Sequence, residues 1–320
     1  MRGHLMESEI REQPGILAAQ ADSYLRAAQS ALAGKSFDMI LLAARGSSDN
    51  AALFARYLFE IHVGLPVSLA APSVLTRYGT HVRYPNCLAI GISQSGQAPD
   101  VSEVLADLRN AGHATLAVTN TEGSRMTQEA ESTVLLGAGL EKSVAATKTF
   151  TASLLAMYQI ARALGASLPD PKPHLPADDW VETALAAAQE KSGPIVRCNP
   201  IFALGRGFGF STAVESALKL MECALIPAKS YSSADFEHGP KALAGAGSAA
   251  LVFDGDKPHL REHGCELVTP PSSAEREAIP EEVTPIWDVM FGQSVALVAA
   301  RARGLDPDQP RHLKKVTETL

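Results

Sequence analysis

The sequence predicts a two-lobed α/β protein in which parallel strands are covered by helices. Short apolar runs alternate with helical patterns through most of the 320 residues, and the pattern of the first half returns in the second. Short buried strands separated by helices are typical of a parallel sheet covered on both faces. At about 150 residues per domain, the length also fits two domains.

Five apolar runs in the first half are predicted strands. They occupy residues 37–44, 66–70, 87–92, 114–118 and 132–136. The polar segment RGSSDN follows the first run and SQSGQAPD follows the third, and a helical pattern comes after each of them.

The second half repeats the beginning of the first. Residues 40–46 (ILLAARG) precede a helical pattern that ends at Glu60, and residues 201–207 (IFALGRG) precede one that ends at Glu222. Because strand, Arg-Gly turn and helix length agree together, we interpret them as an internal duplication. The stretch from Phe253 to Cys265 is short for a crossover between parallel strands. We therefore expect a truncated helix or an exposed sheet face there.

A proline-rich segment, LPDPKPHLPADD, separates the two halves. It cannot form a helix or a central strand, so we interpret it as a linker. The predicted domains are therefore residues 1–167 with an N-terminal helical segment, the linker 168–179, and residues 180–320 with a C-terminal tail. A helix is expected to start at the N-cap Asp178 and to end near residue 193. A last helix, over residues 285–303, is expected to be apolar on one side.

Composition argues against several classes of protein. The net charge of −7 and the absence of a basic stretch argue against nucleic acid as a partner. No signal-peptide pattern opens the chain, and the apolar stretch 151–168, interrupted by Arg162, is too short to span a membrane. We expect a soluble, cytoplasmic protein.

The four cysteines are scattered and include no CxxC pair. They are Cys87, Cys198, Cys223 and Cys265. This usage is typical of free thiols in the cytoplasm, and the ligand spacing of a zinc site is missing.

Two hydroxyl-rich turns are candidates for phosphate binding. Ser47 and Ser48 follow the first predicted strand, and Ser93-Gln94-Ser95 follows the third. Ligands of open α/β sheets bind outside the carboxyl ends of strands, where helix N-termini favour anions. Simple N-capping is the alternative interpretation of each turn. The presence of two such turns in one sheet favours phosphate binding over simple N-capping.

Candidates for chemistry lie mostly in the second half. Lys219 and Glu222 are three residues apart and share a helix face, so they form either a surface ion pair or a lysine beside a carbon base. His238, in FEHGP, is either a proton shuttle near neutral pH or a structural loop histidine. Thr147, in a Ser/Thr-rich stretch before a helix, is a weak candidate for sugar binding. Lys315 lies in a polar tail, where lysines are usually solvated.

Gly205, Gly207 and Gly209 follow a predicted strand, but the spacing between the last two differs from that of the dinucleotide-binding pattern GxGxxG. We therefore expect no nicotinamide cofactor.

Seven stretches together resemble one known family. They are residues 6–14 (MESEIREQP), 46–48 (GSS), 93–96 (SQSG), 144–150 (VAATKTF), 215–222 (ESALKLME), 237–240 (EHGP) and 308–311 (DQPR). The chain resembles the isomerase half of glutamine–fructose-6-phosphate aminotransferase and its relatives. The resemblance implies two sugar isomerase (SIS) domains, each a flavodoxin-like parallel sheet sandwiched by helices.

The resemblance also implies roles for individual residues. The phosphate of a hexose phosphate is expected at Ser48, Ser93, Gln94 and Ser95, and the sugar at Ser47, Val144, Ala146 and Thr147. Glu222 is implied as the base that moves the C1/C2 proton, with Lys219 lining the site. His238 is implied to assist ring opening in the neighbouring subunit of a homodimer, and Lys315 to close over the substrate.

The chain departs from the aminotransferase in several places. It has no early cysteine of a glutaminase domain, so we expect no ammonia production from glutamine. The family's threonine after the second phosphate turn is Ala98 here, its serine at the sugar turn is Ala146, and its lysine before His-Gly-Pro is Glu237. A stand-alone chain of this kind resembles SIS-type glucosamine-6-phosphate deaminases, which implies formation of fructose 6-phosphate and ammonia without metal or organic cofactor.

Two alternatives remain open from the residues. The first keeps the fold and changes the substrate, either to another phosphosugar or to a fructosamine 6-phosphate from which an amino acid is removed. The second is a non-catalytic sugar-phosphate sensor.

Overall fold

The computed structural model describes residues 2–315, which form two compact units. The first-sheet unit consists of Ile16–Leu140 and Thr149–Lys172. The second-sheet unit consists of the N-terminal residues as far as Gly15, together with Glu141–Lys148 and Pro173–Lys315. The domain boundaries at residues 167 and 180 stay a prediction.

The first-sheet unit contains a five-stranded parallel sheet. Its strands are β1 (Met39–Ala43), β2 (Val67–Leu69), β3 (Cys87–Ser93), β4 (Ala114–Thr119) and β5 (Ser132–Leu135). All five predicted strands are therefore confirmed. Their order is β2-β1-β3-β4-β5, a doubly wound order in which the connections reverse direction between β1 and β3.

Helices follow the strands of this sheet as the alternating pattern predicts. The helices of the N-terminal half are α1 (His4–Leu32), α2 (Ser47–His62), α3 (Ser73–Thr76), α4 (Pro99–Asn110), α5 (Arg125–Glu129) and α6 (Lys148–Ala163). One face of the sheet packs against α4 and α5, where Leu41 and Ala89 of the strands meet Val101, Leu105 and Met126. This packing fixes the start of α4 beside the end of β3.

The second-sheet unit contains a four-stranded parallel sheet in the order β7-β6-β8-β9. Its strands are β6 (Ile201–Gly205), β7 (Ala228–Ser232), β8 (Ala249–Val252) and β9 (Glu266–Val268). Its helices are α7 (Asp178–Lys191), α8 (Gly193–Arg197), α9 (Phe208–Ala224), α10 (Ser233–Glu237), α11 (Pro258–Glu262), α12 (Ala274–Glu277) and α13 (Thr284–Ala302).

The second sheet repeats the strand order of the first four positions of the first sheet. Gly46 precedes α2 with φ 57° and ψ −132°, and Gly207 precedes α9 with φ 56° and ψ −129°. Positive φ at both positions favours glycine, so the same sequence signal produces the same turn twice. This agreement supports the internal duplication. The second sheet as a SIS domain stays a prediction.

The crossover between β8 and β9 contains only the five-residue helix α11, so the expected truncation is confirmed. The start of α7 differs slightly from the prediction. Ala177 occupies the N-cap position, without a side-chain cap, and Asp178 is the first helical residue. The proline-rich segment also contains a short 3-10 turn at Lys172–His174.

Helix α13 corrects two sequence-based expectations. Every residue from Pro285 to Ala300 is buried, so the helix is covered on all sides and not on one. The segment Glu281–Ala302, unlike residues 151–168, is also long and apolar enough to cross a membrane. Within the fold, however, 94% of its 18-residue apolar stretch is buried, as in the central helix of a large core.

Candidate functional site

The two serine-bearing turns lie at neighbouring strand ends in the first-sheet unit. Strands β1 and β3 are paired in parallel, with Ala43 opposite Gly91, so the turns that follow them meet where the sheet order reverses. Ser47 and Ser48 are half-buried residues of the first turn of α2. The N-cap position belongs to Gly46, which makes no side-chain cap, so the N-cap interpretation is wrong for this pair.

The second turn is held by its own hydroxyl groups. Ser93 Oγ accepts a hydrogen bond from Gly96 N at 3.1 Å, and Ser95 Oγ accepts one from Gln97 N at 3.3 Å. The carbonyl oxygen of Gln94 accepts a bond from Asn120 N at 3.1 Å. A hydroxyl that accepts a bond keeps its own proton for donation, so both serines can still donate to an anion.

Gly96 is required at this turn for two reasons. Its φ is +63°, which L-residues with a Cβ rarely adopt. A Cβ atom would lie 2.1 Å from Ser124 Oγ and 2.9 Å from Thr119 Oγ1. The backbone therefore comes close to its neighbours only because no side chain is present.

An ion pair that the sequence did not reveal joins the two turns. Arg45 Nε donates to Asp100 Oδ2 at 2.7 Å, across the gap between the end of β1 and the start of α4. Asp100 is 2% exposed, and its Oδ1 accepts a bond from Val101 N at 2.8 Å. In the sequence, this pair was indicated only by the positions of Arg45 and Asp100, each of which follows the end of a predicted strand.

A buried lysine lies between two carboxylates on α9, in the second-sheet unit. Lys219 Nζ is 2.5 Å from Glu222 Oε2 and 3.4 Å from Glu215 Oε1, and the side chains of Lys219 and Glu215 are completely buried. Burial alone would lower the pKa of Lys219, but the charges of Glu215 and Glu222 outweigh it and raise that pKa above its ordinary value. The surface-pair interpretation is therefore wrong for Lys219. The charged ammonium group of Lys219 lies against Glu222, whose side chain is 24% exposed.

The segment 141–148 is anchored by carboxylates within the second-sheet unit. Glu9 accepts from Lys142 N, and from Ser143 N at 3.1 Å, while Glu141 Oε1 accepts from Thr147 N at 3.0 Å. Thr147 is buried, whereas Val144 and Ala146 are only half-buried. The anchoring therefore leaves two small apolar side chains at the accessible part of the segment.

Lys315 is bound to the same segment and is not a solvated tail residue. Its Nζ donates to Glu141 Oε2 at 2.6 Å and to the carbonyl oxygen of Ser143 at 2.7 Å. This contact places Lys315 beside Ser143, which directly precedes the predicted sugar residue Val144.

His238 is exposed at the C-terminal end of the short helix α10. Gly239, with φ 149°, turns the chain immediately after it. The structure places this histidine on the surface of the second-sheet unit, and its catalytic role stays a prediction.

All four cysteines are free thiols, as expected. Burial raises the pKa of Cys223, the neighbour of Glu222, to about 12, so this thiol is a poor nucleophile. Among residues 2–315, no group of three or more histidine, cysteine or acidic side chains is arranged to hold a metal ion.

Comparison with known proteins supports the resemblance to SIS-domain proteins. The family model described as the SIS domain matches residues 36–163. The glutamine–fructose-6-phosphate aminotransferase of Methanothermobacter thermautotrophicus is 30% identical, with 98% of this chain and 57% of the relative covered. The chain thus spans a little over half the length of that relative.

Two solved structures share the fold. The C-terminal domain of glucosamine-fructose-6-phosphate aminotransferase from Francisella tularensis superposes with a TM-score of 0.79 at 23% identity, covering 96% of this chain and 98% of that one. Glucosamine-6-phosphate deaminase from Thermotoga maritima superposes with a TM-score of 0.82 at 22% identity, covering 98% and 100%. At these identities the likeness is one of fold. The chain therefore contains a match to the SIS domain at residues 36–163, and 98% of its length is similar to part of the aminotransferase.

Proposed function

We propose that this chain is a phosphosugar isomerase that converts glucosamine 6-phosphate and water into fructose 6-phosphate and ammonia. The observation that carries the proposal is the pairing of Glu222 with a buried, charged lysine. A partly exposed carboxylate held by Lys219 at 2.5 Å has a fixed orientation and remains accessible to a substrate. Such a group suits removal of a proton from carbon.

The proposed reaction starts from the open-chain aldehyde form of the sugar. Glu222 removes the proton from C2, which is acidic because of the neighbouring C1 carbonyl, and returns it to C1. The amine-bearing C2 becomes an imine. Water then adds to C2, ammonia leaves, and the ketone of fructose 6-phosphate remains. In this scheme Lys219 is not consumed but keeps Glu222 in place.

Binding is assigned to the turns and the anchored segment. Ser48, Ser93, Gln94 and Ser95 are proposed to hold the phosphoryl group, and Ser47, Val144, Ala146 and Thr147 to contact the sugar. The bonds from Lys315 to Glu141 and Ser143 support a role for Lys315 in holding the sugar-binding segment. The proposal requires neither a metal nor an organic cofactor.

His238 is proposed to assist ring opening in the site of a second copy of the chain, in a homodimer. Its exposure supports this role, because an exposed imidazole is accessible to a bound sugar and can exchange protons with it. A cytoplasmic location remains part of the proposal.

A phosphosugar panel with product NMR and an ammonia assay tests the function. With glucosamine 6-phosphate we expect equal amounts of ammonia and fructose 6-phosphate. Turnover of another phosphosugar or of a fructosamine 6-phosphate, with no ammonia from glucosamine 6-phosphate, would move the assignment to that substrate. Binding without turnover across the panel would identify a sensor.

A further inference from the structure

We propose that Arg45 binds the phosphoryl group of the substrate directly and that Asp100 is the residue that positions it. This inference rests on the proposed function, because it assumes that the serine-bearing turns receive a phosphate. It adds a cation to a set of uncharged donors, and Arg45 lies outside the seven stretches that resemble the family.

The position of the ion pair supports this role. Arg45 lies between β1 and the first turn of α2, directly before the turn of Ser47 and Ser48. Asp100 lies in the first turn of α4, after the turn of Ser93 to Ser95. Because β1 and β3 are neighbours and the sheet order reverses between them, the pair crosses the crevice in which ligands of such sheets bind.

The chemistry of the arginine fits a phosphate. Its bond to Asp100 uses Nε, and half of its side chain remains exposed. Within residues 2–315 we find no hydrogen-bond partner for its two Nη groups. A guanidinium held by one edge presents the remaining N–H groups in a planar fork, which matches two oxygens of a phosphate.

Asp100 is built as a fixed support. It is 2% exposed, and its second oxygen is held by Val101 N, so the carboxylate cannot turn away from Arg45. A buried carboxylate beside a phosphate would repel it unless a cation lay between them. Arg45 occupies that place.

The composition of the turns shows why a cation would matter here. The predicted phosphate ligands Ser48, Ser93, Gln94 and Ser95 are all uncharged, and the chain carries a net charge of −7. Ala98, at the N-cap of α4, has no hydroxyl to add. Arg45 supplies the charge that this set lacks.

A purely structural role is the competing explanation, since Arg45 could serve only to neutralise Asp100. A double variant separates the two. In Arg45→Ala the buried carboxylate is left uncompensated, so weaker binding alone would not distinguish them. In Arg45→Ala/Asp100→Asn the charge that needs neutralising is gone as well.

The test is isothermal titration of the full chain with fructose 6-phosphate. We expect Arg45→Ala to weaken binding by about 10- to 100-fold, as for loss of a charge-assisted hydrogen bond, and the double variant to remain about 10-fold weaker than wild type or worse. The matched control is Arg56→Ala, which removes a similarly exposed arginine of α2 that pairs with Glu60 and should bind normally.

Each other outcome is informative. Binding restored to wild type in the double variant would overturn the inference, because Arg45 would then act only on Asp100. Binding retained in Arg45→Ala but lost in Ser95→Ala would overturn the inference and leave the proposed function intact. Absence of binding in the wild-type chain would overturn both.

Discussion

Replacing Lys219 by methionine should destabilise the second-sheet unit strongly. The substitution keeps the length and apolar stem of a completely buried side chain but removes its charge. Removing one partner of a buried ion pair typically costs 3–5 kcal/mol, because the remaining charge is uncompensated. Glu215 is completely buried, whereas Glu222 is 24% exposed and can be partly rehydrated, so we place the loss at the lower end, about 3 kcal/mol.

Unfolding followed by tryptophan fluorescence measures this loss. The chain has two tryptophans, Trp180 and Trp287, whose rings lie 5.0 Å apart in the same unit as Lys219. For a unit of this size, about 3 kcal/mol corresponds to a melting temperature lower by roughly 6–12 °C.

Two variants control the interpretation. Lys241→Met breaks the exposed pair with Glu237 and should cost at most about 1 kcal/mol. Glu215→Gln/Lys219→Met should recover part of the lost stability, because the buried charge is removed with its partner. Equal melting temperatures for Lys219→Met and Lys241→Met would refute the reasoning.

Two further predictions concern the second serine-bearing turn and the anchored segment. Gly96→Ala should destabilise the fold by about 1–2 kcal/mol because of its positive φ, and by a further 1–3 kcal/mol because the new Cβ displaces Ser124. The control Gly64→Ala, with φ +76° and open space around it, should lose only the first amount. Equal melting temperatures for the two variants would contradict this prediction. Burial raises the pKa of Glu9 more than the bonds from Lys142 N and Ser143 N lower it. A carboxyl group whose pKa is raised in the folded state stabilises the fold at pH values below its unfolded pKa. That contribution is lost as pH rises through the folded pKa. Glu9→Gln should therefore gain stability relative to wild type as pH rises above the ordinary carboxyl pKa of 4.5. Urea unfolding at several pH values checks this, with exposed Glu190→Gln as the control; a gap that shrinks as pH rises would argue against it.

The strands could be predicted because each is a short apolar run between turn residues. All five runs of the first half formed strands within two residues of the expected bounds, and residues 40–46 and 201–207 led to the same glycine turn before α2 and α9. Local sequence decides these features, so reading them needs no knowledge of distant contacts.

Burial of charged residues could not be predicted in the same way. Lys219 and Glu222 have the i, i+3 spacing of a surface pair, and only Glu215, one turn earlier on a largely apolar helix, indicated a third charge on that face. Arg45 and Asp100 are 55 residues apart, and their contact arises from the pairing of β1 with β3. Helix α13 was expected to be one-sided because polar residues such as Asp288 and Gln293 usually face solvent. In the structure both are buried, since Asp288 accepts from Arg276 and Gln293 accepts from Gln13.

Solvent-deuterium incorporation is the most direct measurement of the central claim that Glu222 transfers a proton between carbon atoms. The chain and its Glu222→Gln variant are incubated with glucosamine 6-phosphate in deuterated water, and fructose 6-phosphate is analysed by NMR. We expect deuterium at C1 with the wild type, and with the variant a loss of turnover of at least about 100-fold, the scale of a lost general base, while fructose 6-phosphate still binds. Deuterium incorporation by the variant at close to the wild-type rate would contradict the account.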